Sequence, residues 1–332
     1  MTPDAWRYDP QEKESRGIHP MLKIAFRVDA GGPIGLGHVY RCIALADELR
    51  HRGHLCWFWS NEYAGALALR AGHTTADLAY YPKKVDADVW VVDLQKGCPP
   101  YLGIELRELA QVFVLFNGVG YANGDPSRLL ADLVVYQGFC RRPYEMDWTA
   151  ARGQWHEGAD WIVLRRSLLE LRRERALCPT PAQHILVYGG ANGTATVDLI
   201  TRALRVHHVR TLVGSEKPDR ETWAWANVTV LAYGMTALEA LALGLPVVAI
   251  SATPEHLEGA MLAEKHGDGA LVSLGLLEDV EERHVRNAVD DILLDLPGFS
   301  RKALAAVDGQ GVVRVADEIE RFEHDKESGN NW

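Results

Sequence analysis

The sequence predicts an α/β protein of two successive units, each a parallel sheet covered by helices. Three observations carry this. Short apolar runs alternate with segments of helical spacing from Leu22 onward. A glycine-rich turn follows the first strand of each unit, Asp29 to His38 in one and Gly189 to Gly193 in the other. Between them Pro179 and Pro181 break a charged helical stretch and stiffen a connector.

The chain has 332 residues, 47% hydrophobic and 24% charged, which is the globular range and enough for about two domains. Residues 1–20 mix charges, proline and glycine without an apolar centre, and read as a flexible leader rather than a secretory signal. The apolar stretch Leu238 to Ile250 is interrupted by Glu239, Gly244 and Pro246, so no membrane span is expected. Five cysteines, with no C-x-x-C pair, argue against a disulfide framework or a zinc site and place the protein in the cytoplasm. The net charge of -10 disfavours nucleic acid as a partner. Arg141, Arg142, Arg165, Arg166, Arg172, Arg173 and Arg175 run the other way, but nearby carboxylates nearly balance them, and they read as a solvated helix face.

In the first unit, residues 21–167, Leu22 to Val28 alternates like a strand. The glycine-rich turn follows, and Val39, Cys42, Ile43, Ala46 and Leu49 then recur at helical spacing. Tyr40, Arg41, Ala44, Asp47 and Glu48 fall on the opposite, wetter face. Further strands are expected at Leu55 to Trp59, Val89 to Val92, Val112 to Phe116 and Leu133 to Tyr136. Residues 168–181 form the linker, helical from Ser167 to Ala176. The second unit, 182–332, has strands at His184 to Tyr188, Val209 to Val213, Val228 to Leu231 and Val247 to Ile250. It has a helix from Thr194 and a closing helix from Val312 to Phe322.

Open parallel sheets bind ligands at the carboxyl ends of their strands, where helix N-termini converge, so the two turns are the first candidates. In the first, Gly35 and Gly37 allow close approach of a ligand, and His38, just before the helix, has an imidazole suited to act as a base. The alternative is a histidine that only packs or caps. A dinucleotide fingerprint is absent, which disfavours a nicotinamide cofactor. In the second turn, Gly189, Gly190, Asn192 and Thr194 offer backbone N–H groups and a hydroxyl to an anion. A third segment, Tyr233-Gly234-Met235-Thr236-Ala237-Leu238-Glu239, has the spacing of a capping box between Thr236 and Glu239, and equally offers a helix N-terminus to a phosphate and a carboxylate to ribose hydroxyls. Asp86-Ala87-Asp88 has the form of a metal motif but precedes its strand, and reads as a solvated strand entry.

Phe26-Arg27-Val28-Asp29, Ile34-Gly35-Leu36-Gly37-His38, Arg41-Cys42 and Leu45-Ala46 together resemble the start of the pseudaminic-acid-pathway UDP-sugar hydrolases and the related spore-coat polysaccharide proteins. More distantly they are similar to the N-acetylglucosaminyltransferase that makes lipid II. Trp161 to Arg165 looks like that family's interdomain segment, and Gly189-Gly190 and Gly234 to Pro246 like its nucleotide-binding turns. The resemblance runs from Met21 to about Gly269. It implies two Rossmann-like domains facing across a cleft, of the glycosyltransferase-B (GT-B) type, with the sugar and acceptor on the first and the nucleotide on the second. It also implies His38 as the activating base with Asp29 as a second catalytic candidate, and sugar or nucleotide contacts at Arg41, Asn117, Tyr233 and Met235. No metal or cofactor is implied beyond the nucleotide sugar itself.

Asn117-Gly118 stands where the family has paired aspartates, so a sugar contact is altered. The segment from Val228 to Gly234 is short by about one helix and one strand. Glu255-His256 or Glu258 stands near the place of the family's glutamine. The expected activity is glycosyl transfer from a nucleotide sugar, a UDP-sugar by resemblance, to water or an acceptor hydroxyl. The alternatives are a transferase for a large acceptor such as a glycan or modified nucleic acid, docked on the arginines, and a catalytically silent nucleotide-sugar-binding protein.

Overall fold

Strands that are apolar on both faces are buried only when helices cover both sides of a sheet. The first sheet is built from such strands. In the computed structural model, which describes residues 20–31, 34–77, 86–116, 125–139, 153–177, 184–190, 193–205, 207–212 and 217–327, the first unit runs β1 (Lys23–Val28), α1 (Gly37–His51), β2 (Leu55–Ser60), α2 (Glu62–Arg70), β3 (Thr74–Asp77), β4 (Val89–Asp93), α3 (Pro100–Leu109), β5 (Val112–Phe116), β6 (Leu133–Gln137) and β7 (Gln154–Gly158). All seven strands are parallel, in the order β3-β2-β1-β4-β5-β6-β7. The strand order reverses between β1 and β4.

Next come α4 (Arg166–Leu177), β8 (His184–Tyr188), α5 (Thr194–Ala203), β9 (His208–Leu212), α6 (Arg220–Trp225), β10 (Val228–Ala232), α7 (Met235–Ala242), β11 (Val247–Ser251), α8 (Pro254–His266), β12 (Leu271–Leu276), α9 (Glu282–Leu294), α10 (Leu296–Ala306) and α11 (Gly311–Glu327). The second sheet has five parallel strands in the order β12-β11-β10-β8-β9, with its reversal between β8 and β10.

Both units are thus doubly wound, and the expected two-domain α/β architecture is present. Three strands were not expected, β3, β7 and β12, and all three are sheet edges. An edge strand pairs on one side only and need not be an apolar run, so Thr74-Thr75-Ala76-Asp77 and Gln154-Trp155-His156-Glu157-Gly158 gave no signal.

The two ends of the second unit pack differently from their place in the sequence. Leu168 and Leu171 of α4, expected as linker, lie in the core of the second sheet. The closing helix α11, grouped by sequence with the second sheet, buries Val312, Val315, Ala316 and Ile319 in the core of the first. It packs along the end of α1 near Glu48 and Arg52, and Arg41 and Ala44, on the face of α1 expected to be wet, are in fact buried. At its start, a Cβ on Gly311 would run into the Ile162 backbone, so the two chain crossings between the domains touch. Pro179 and Pro181 lie outside the described residues.

Arg166 and Arg173 of α4 do lie on a solvated face, but Arg172 and Arg175 do not. Arg172 donates to the carbonyls of Ala242, Val307 (2.8 Å) and Leu304 (2.8 Å), and Arg175 to those of Leu243 (3.2 Å), Trp223 (3.0 Å) and Ala224 (3.1 Å). Those carbonyls belong to the last turns of α7, α10 and α6, where unpaired acceptors and the negative end of the helix dipole attract a cation. Arg141 and Arg142 lie outside the described residues. Among the described residues no helix is long and apolar enough to cross a membrane.

A buried charge clasp holds α11 to the first domain. Arg52 meets Glu48 (2.9 Å), Asp317 (2.6 Å) and Glu320 (2.7 Å). His54 accepts from the Leu22 N–H at Nδ1, so its Nε2–H donates to Glu320 at 2.9 Å. Burial opposes the Glu320 charge, but the His54 hydrogen bond and the Arg52 cation outweigh it and hold the carboxyl below its ordinary 4.5. A depressed carboxyl pKa stabilises the fold above the unfolded value and ceases to do so as pH falls through the folded one. Glu320→Gln should therefore cost about 1–3 kcal/mol near pH 7, and the gap to wild type should close as pH drops below about 4.5. Urea denaturation across that range measures it.

Candidate functional site

In a doubly wound sheet the strand ends diverge at the order reversal and leave a crevice. His38 and Asp93 sit at the first one, since His38 follows β1 and Asp93 closes the neighbouring strand β4, in register with Val28. The turn before His38 is held by Gly31 N–H to Gly35 C=O at 3.1 Å, with Gly35 at φ +75°. Helix α1 starts at Gly37, two residues earlier than expected, which puts His38 in its first turn.

Asp93 is fully buried and accepts from three side chains. His38 Nδ1 lies 2.7 Å from Oδ1, Arg41 binds both oxygens, with Nη2 at 2.5 Å from Oδ1, and the Cys42 thiol approaches Oδ2 at 3.7 Å. Burial alone would raise the Asp93 pKa; the charges and hydrogen bonds of Arg41 and His38 overcome it and hold it at about 2. An ionised carboxylate only accepts, so the hydrogen at Nδ1 belongs to the imidazole. The 2.9 Å approach of Arg41 Nη2 to Nδ1 is then two donors sharing one acceptor rather than a bond between them. With Nδ1 committed, the neutral imidazole carries its lone pair on Nε2, the arrangement that makes a base. The side chain is 17% exposed.

Asp29 has a different duty. Arg27 grips it with two bonds of 2.6 and 2.8 Å, and the Asn61 N–H donates to it at 3.1 Å. His38 takes its carboxylate from Asp93, not from Asp29. Arg41, expected to meet a ligand, is committed to Asp93 and buried. Asp86 and Asp88 hold the Lys23 ammonium and backbone N–H, an ordinary strand entry. Asn117 and Asn192 lie outside the described residues.

The other two glycine segments flank the second reversal, following β8 and β10. A Cβ on either Gly189 or Gly193 would strike the other's backbone, and Gly190 has φ +72°, so this tight turn admits only glycine. Helix α7 begins at Met235 with Gly234 as its N-cap. No capping box forms: Thr236 lies inside the helix, and Glu239 reaches instead for Lys217, at 2.8 Å, and Arg165, at 3.6 Å. Helices α1, α5 and α7 all start without a side-chain cap, whereas α2, α6, α8 and α10 take theirs from Asn61, Asp219, Thr253 and Asp295. The uncapped starts include those that follow β1, β8 and β10, and also that of α3, which opens behind Pro99 after β4.

The two reversals face each other. A Cβ on Gly37 would touch Met235 Cγ at 3.2 Å, and the Tyr40 ring lies 4.8 Å from Lys217 Nζ and 5.6 Å from the Arg165 guanidinium. Tyr188, at the end of β8, is buried beside Glu239 and Tyr40, and its hydroxyl is pushed up to about 12, chiefly by burial. Tyr233 and Thr236 are also buried there. One oxygen of Glu239, Oε2, is buried without a hydrogen-bond partner. Among the described residues no cluster of three or more His, Cys, Asp or Glu side chains is placed to hold a metal ion.

Sequence reasoning missed Asp93, Arg165 as a site residue, and Lys217. An acid closing a wholly apolar strand is a usable signal for Asp93, and Arg165 likewise follows an apolar run. Lys217, in an irregular segment, had none.

The architecture matches solved glycosyltransferases. The spinosyn forosaminyltransferase SpnP superimposes with a TM-score of 0.63 at 14% identity, over 91% of this chain and 99% of that one. MurG of Acinetobacter baumannii gives 0.62 at 15%, over 90% and 99%. The spinosyn rhamnosyltransferase SpnG, complexed with thymidine diphosphate, gives 0.62 at 13%, over 91% and 100%. The fold is therefore the GT-B fold, two facing Rossmann-like domains. In sequence, an uncharacterized protein of Methanocaldococcus jannaschii, MJ1062, is 21% identical over 69% of this chain, which spans 55% of that relative's length. No family model matches.

Because Asp93 is the buried carboxylate that Arg41 and His38 share, Asp93→Asn should cost about 3–5 kcal/mol by removing their common anion. Chemical denaturation reads this directly, and a loss under about 1 kcal/mol would show that Arg41 is hydrated instead.

Proposed function

We propose that this protein is an enzyme of the glycosyltransferase type that binds a nucleoside-diphosphate sugar, in the first instance a UDP-sugar, and breaks its anomeric C–O bond. The observation that carries the reading is the pairing of two unlike half-sites across one cleft. On one side stands a histidine whose Nδ1–H is spent on a buried carboxylate. On the other stand uncapped helix N-termini and a buried carboxylate with one oxygen free. The second half-site suits a nucleotide: N–H groups and helix dipoles for the diphosphate, Glu239 Oε2 for a ribose hydroxyl. The first suits activation of an attacking oxygen.

In this reading the first domain presents the sugar and the attacking group, and the second holds the nucleotide. His38 Nε2 takes the proton from water or from an acceptor hydroxyl. That oxygen bonds to the anomeric carbon as the bond to the diphosphate breaks, and the electron pair leaves on the nucleoside diphosphate. Helix N-termini receive that charge without a metal. The relatives with solved structures carry the names of sugar transferases, and one is complexed with thymidine diphosphate, which supports a nucleotide sugar without choosing its base. A polymer dock on the arginines of α4 loses its main support, because Arg172 and Arg175 are engaged with helix carbonyls.

Incubation with a panel of nucleotide sugars, with and without acceptors, and chromatography of the released nucleotide separates a hydrolase, a transferase and a silent binder. His38→Ala should lower turnover by about 10²–10⁴-fold while nucleotide affinity is retained. An unchanged rate excludes His38 as the base.

A further inference from the structure

Lys217 precedes α6 with its side chain only 7% exposed, and its ammonium is held by the one carboxylate of α7, Glu239, at 2.8 Å. Burying an ammonium is expensive, and one ion pair seldom repays it when the same carboxylate serves a second cation. That is the case here, since Arg165 approaches the same oxygen, Oε1, at 3.6 Å, while Oε2 has no partner. Burial therefore pushes the Lys217 amine down; Glu239 opposes this, and Arg165 and, from across the cleft, Arg41 reinforce it. Two cations, Lys217 and Arg165, thus share the one carboxylate of Glu239. They lie beside the uncapped start of α7 and against the Tyr40 ring of the opposing domain.

We infer that Lys217 is the counter-cation of the donor's diphosphate, held in the cleft by Glu239 through Oε1 so that Oε2 stays available to the nucleoside. This rests on the nucleotide-sugar reading above and adds a division of labour to it. The ammonium has three donors and Glu239 takes one, so it is able to meet phosphate oxygens without leaving its carboxylate. When the anomeric C–O bond breaks, the diphosphate gains negative charge beside a fixed, poorly hydrated cation, and such preorganised charge favours departure.

Titration calorimetry of UDP and TDP, each alongside its parent nucleoside, tests the assignment on the full chain. Lys217→Met should weaken binding of the diphosphate by about 10- to 100-fold and leave the nucleoside within about threefold. Glu239→Gln should weaken nucleoside and diphosphate by similar factors, since it removes a contact common to both. Equal losses for the two ligands in Lys217→Met, or no loss at all, would overturn the inference and leave Lys217 as a support for Glu239. If Lys217→Met does not fold, Lys217→Met/Glu239→Gln removes both charges together. It should then lose more diphosphate than nucleoside affinity relative to Glu239→Gln, and parity would overturn the inference in the same way. Failure of the wild-type protein to bind either diphosphate overturns the nucleotide reading itself, an outcome separate from a selective failure of Lys217.

Discussion

The Asp93 carboxylate is the interaction on which the first half of the cleft depends. It is buried at the end of a strand with no polar side chain inside it, and it can stay ionised there only because Arg41 and His38 surround it. That requirement reaches back through the chain. Arg41 must be buried to serve it, so the side of α1 that carries Arg41 and Ala44 is closed off from water, while α11 packs along the end of α1 near Glu48 and Arg52. His38 is fixed as a consequence, since the same carboxylate orients the imidazole and commits its Nδ1. A charge that would be a liability in an ordinary core here gives the helix and the base one common anchor.

The second half-site is organised by complementary means. Its helices begin without side-chain caps, and the glycine contact between Gly189 and Gly193 brings backbone amides where side chains would intrude. At the opposite ends of α6, α7 and α10, Arg172 and Arg175 absorb the free carbonyls. In α7 both occur at once, a positive end left open and a negative end neutralised, whereas α6 and α10 are also capped at their starts. The dipole of α7 is thereby presented where an anion is wanted and quenched where none is.

The two-layer fold was legible because buried parallel strands are short apolar runs, and every central strand announced itself in that way. The edge strands β3, β7 and β12 did not, having only one paired side to satisfy, although the edge strand β9 did. The glycine-rich turns pointed to both strand-order reversals, since close backbone approach demands glycine and glycine is visible in a sequence. Pairings between distant residues were not legible: Asp93 with His38, Lys217 with Glu239, and Arg172 with carbonyls on α7 and α10 are separated by 22 to 135 positions. Thr236 and Glu239 show the opposite error. Their spacing satisfied a local motif, but a cation from another segment competed for the carboxylate and won. The closing helix was misplaced for a related reason, because its ties to the first sheet, the clasp at Arg52 and His54 and the bond of Arg321 to Gln154, join residues far apart in sequence.

That return of α11 changes how the domains are tied. The chain passes from the first domain to the second near Ile162 and comes back near Gly311, and at these points the two passages are in contact. A single tether would leave the domains free to swivel; two passages joined at one place act as the knuckle of a hinge. The cluster of Arg165, Tyr40 and Lys217 lies only three residues along the chain from that knuckle, so the cleft is anchored where its two halves are joined.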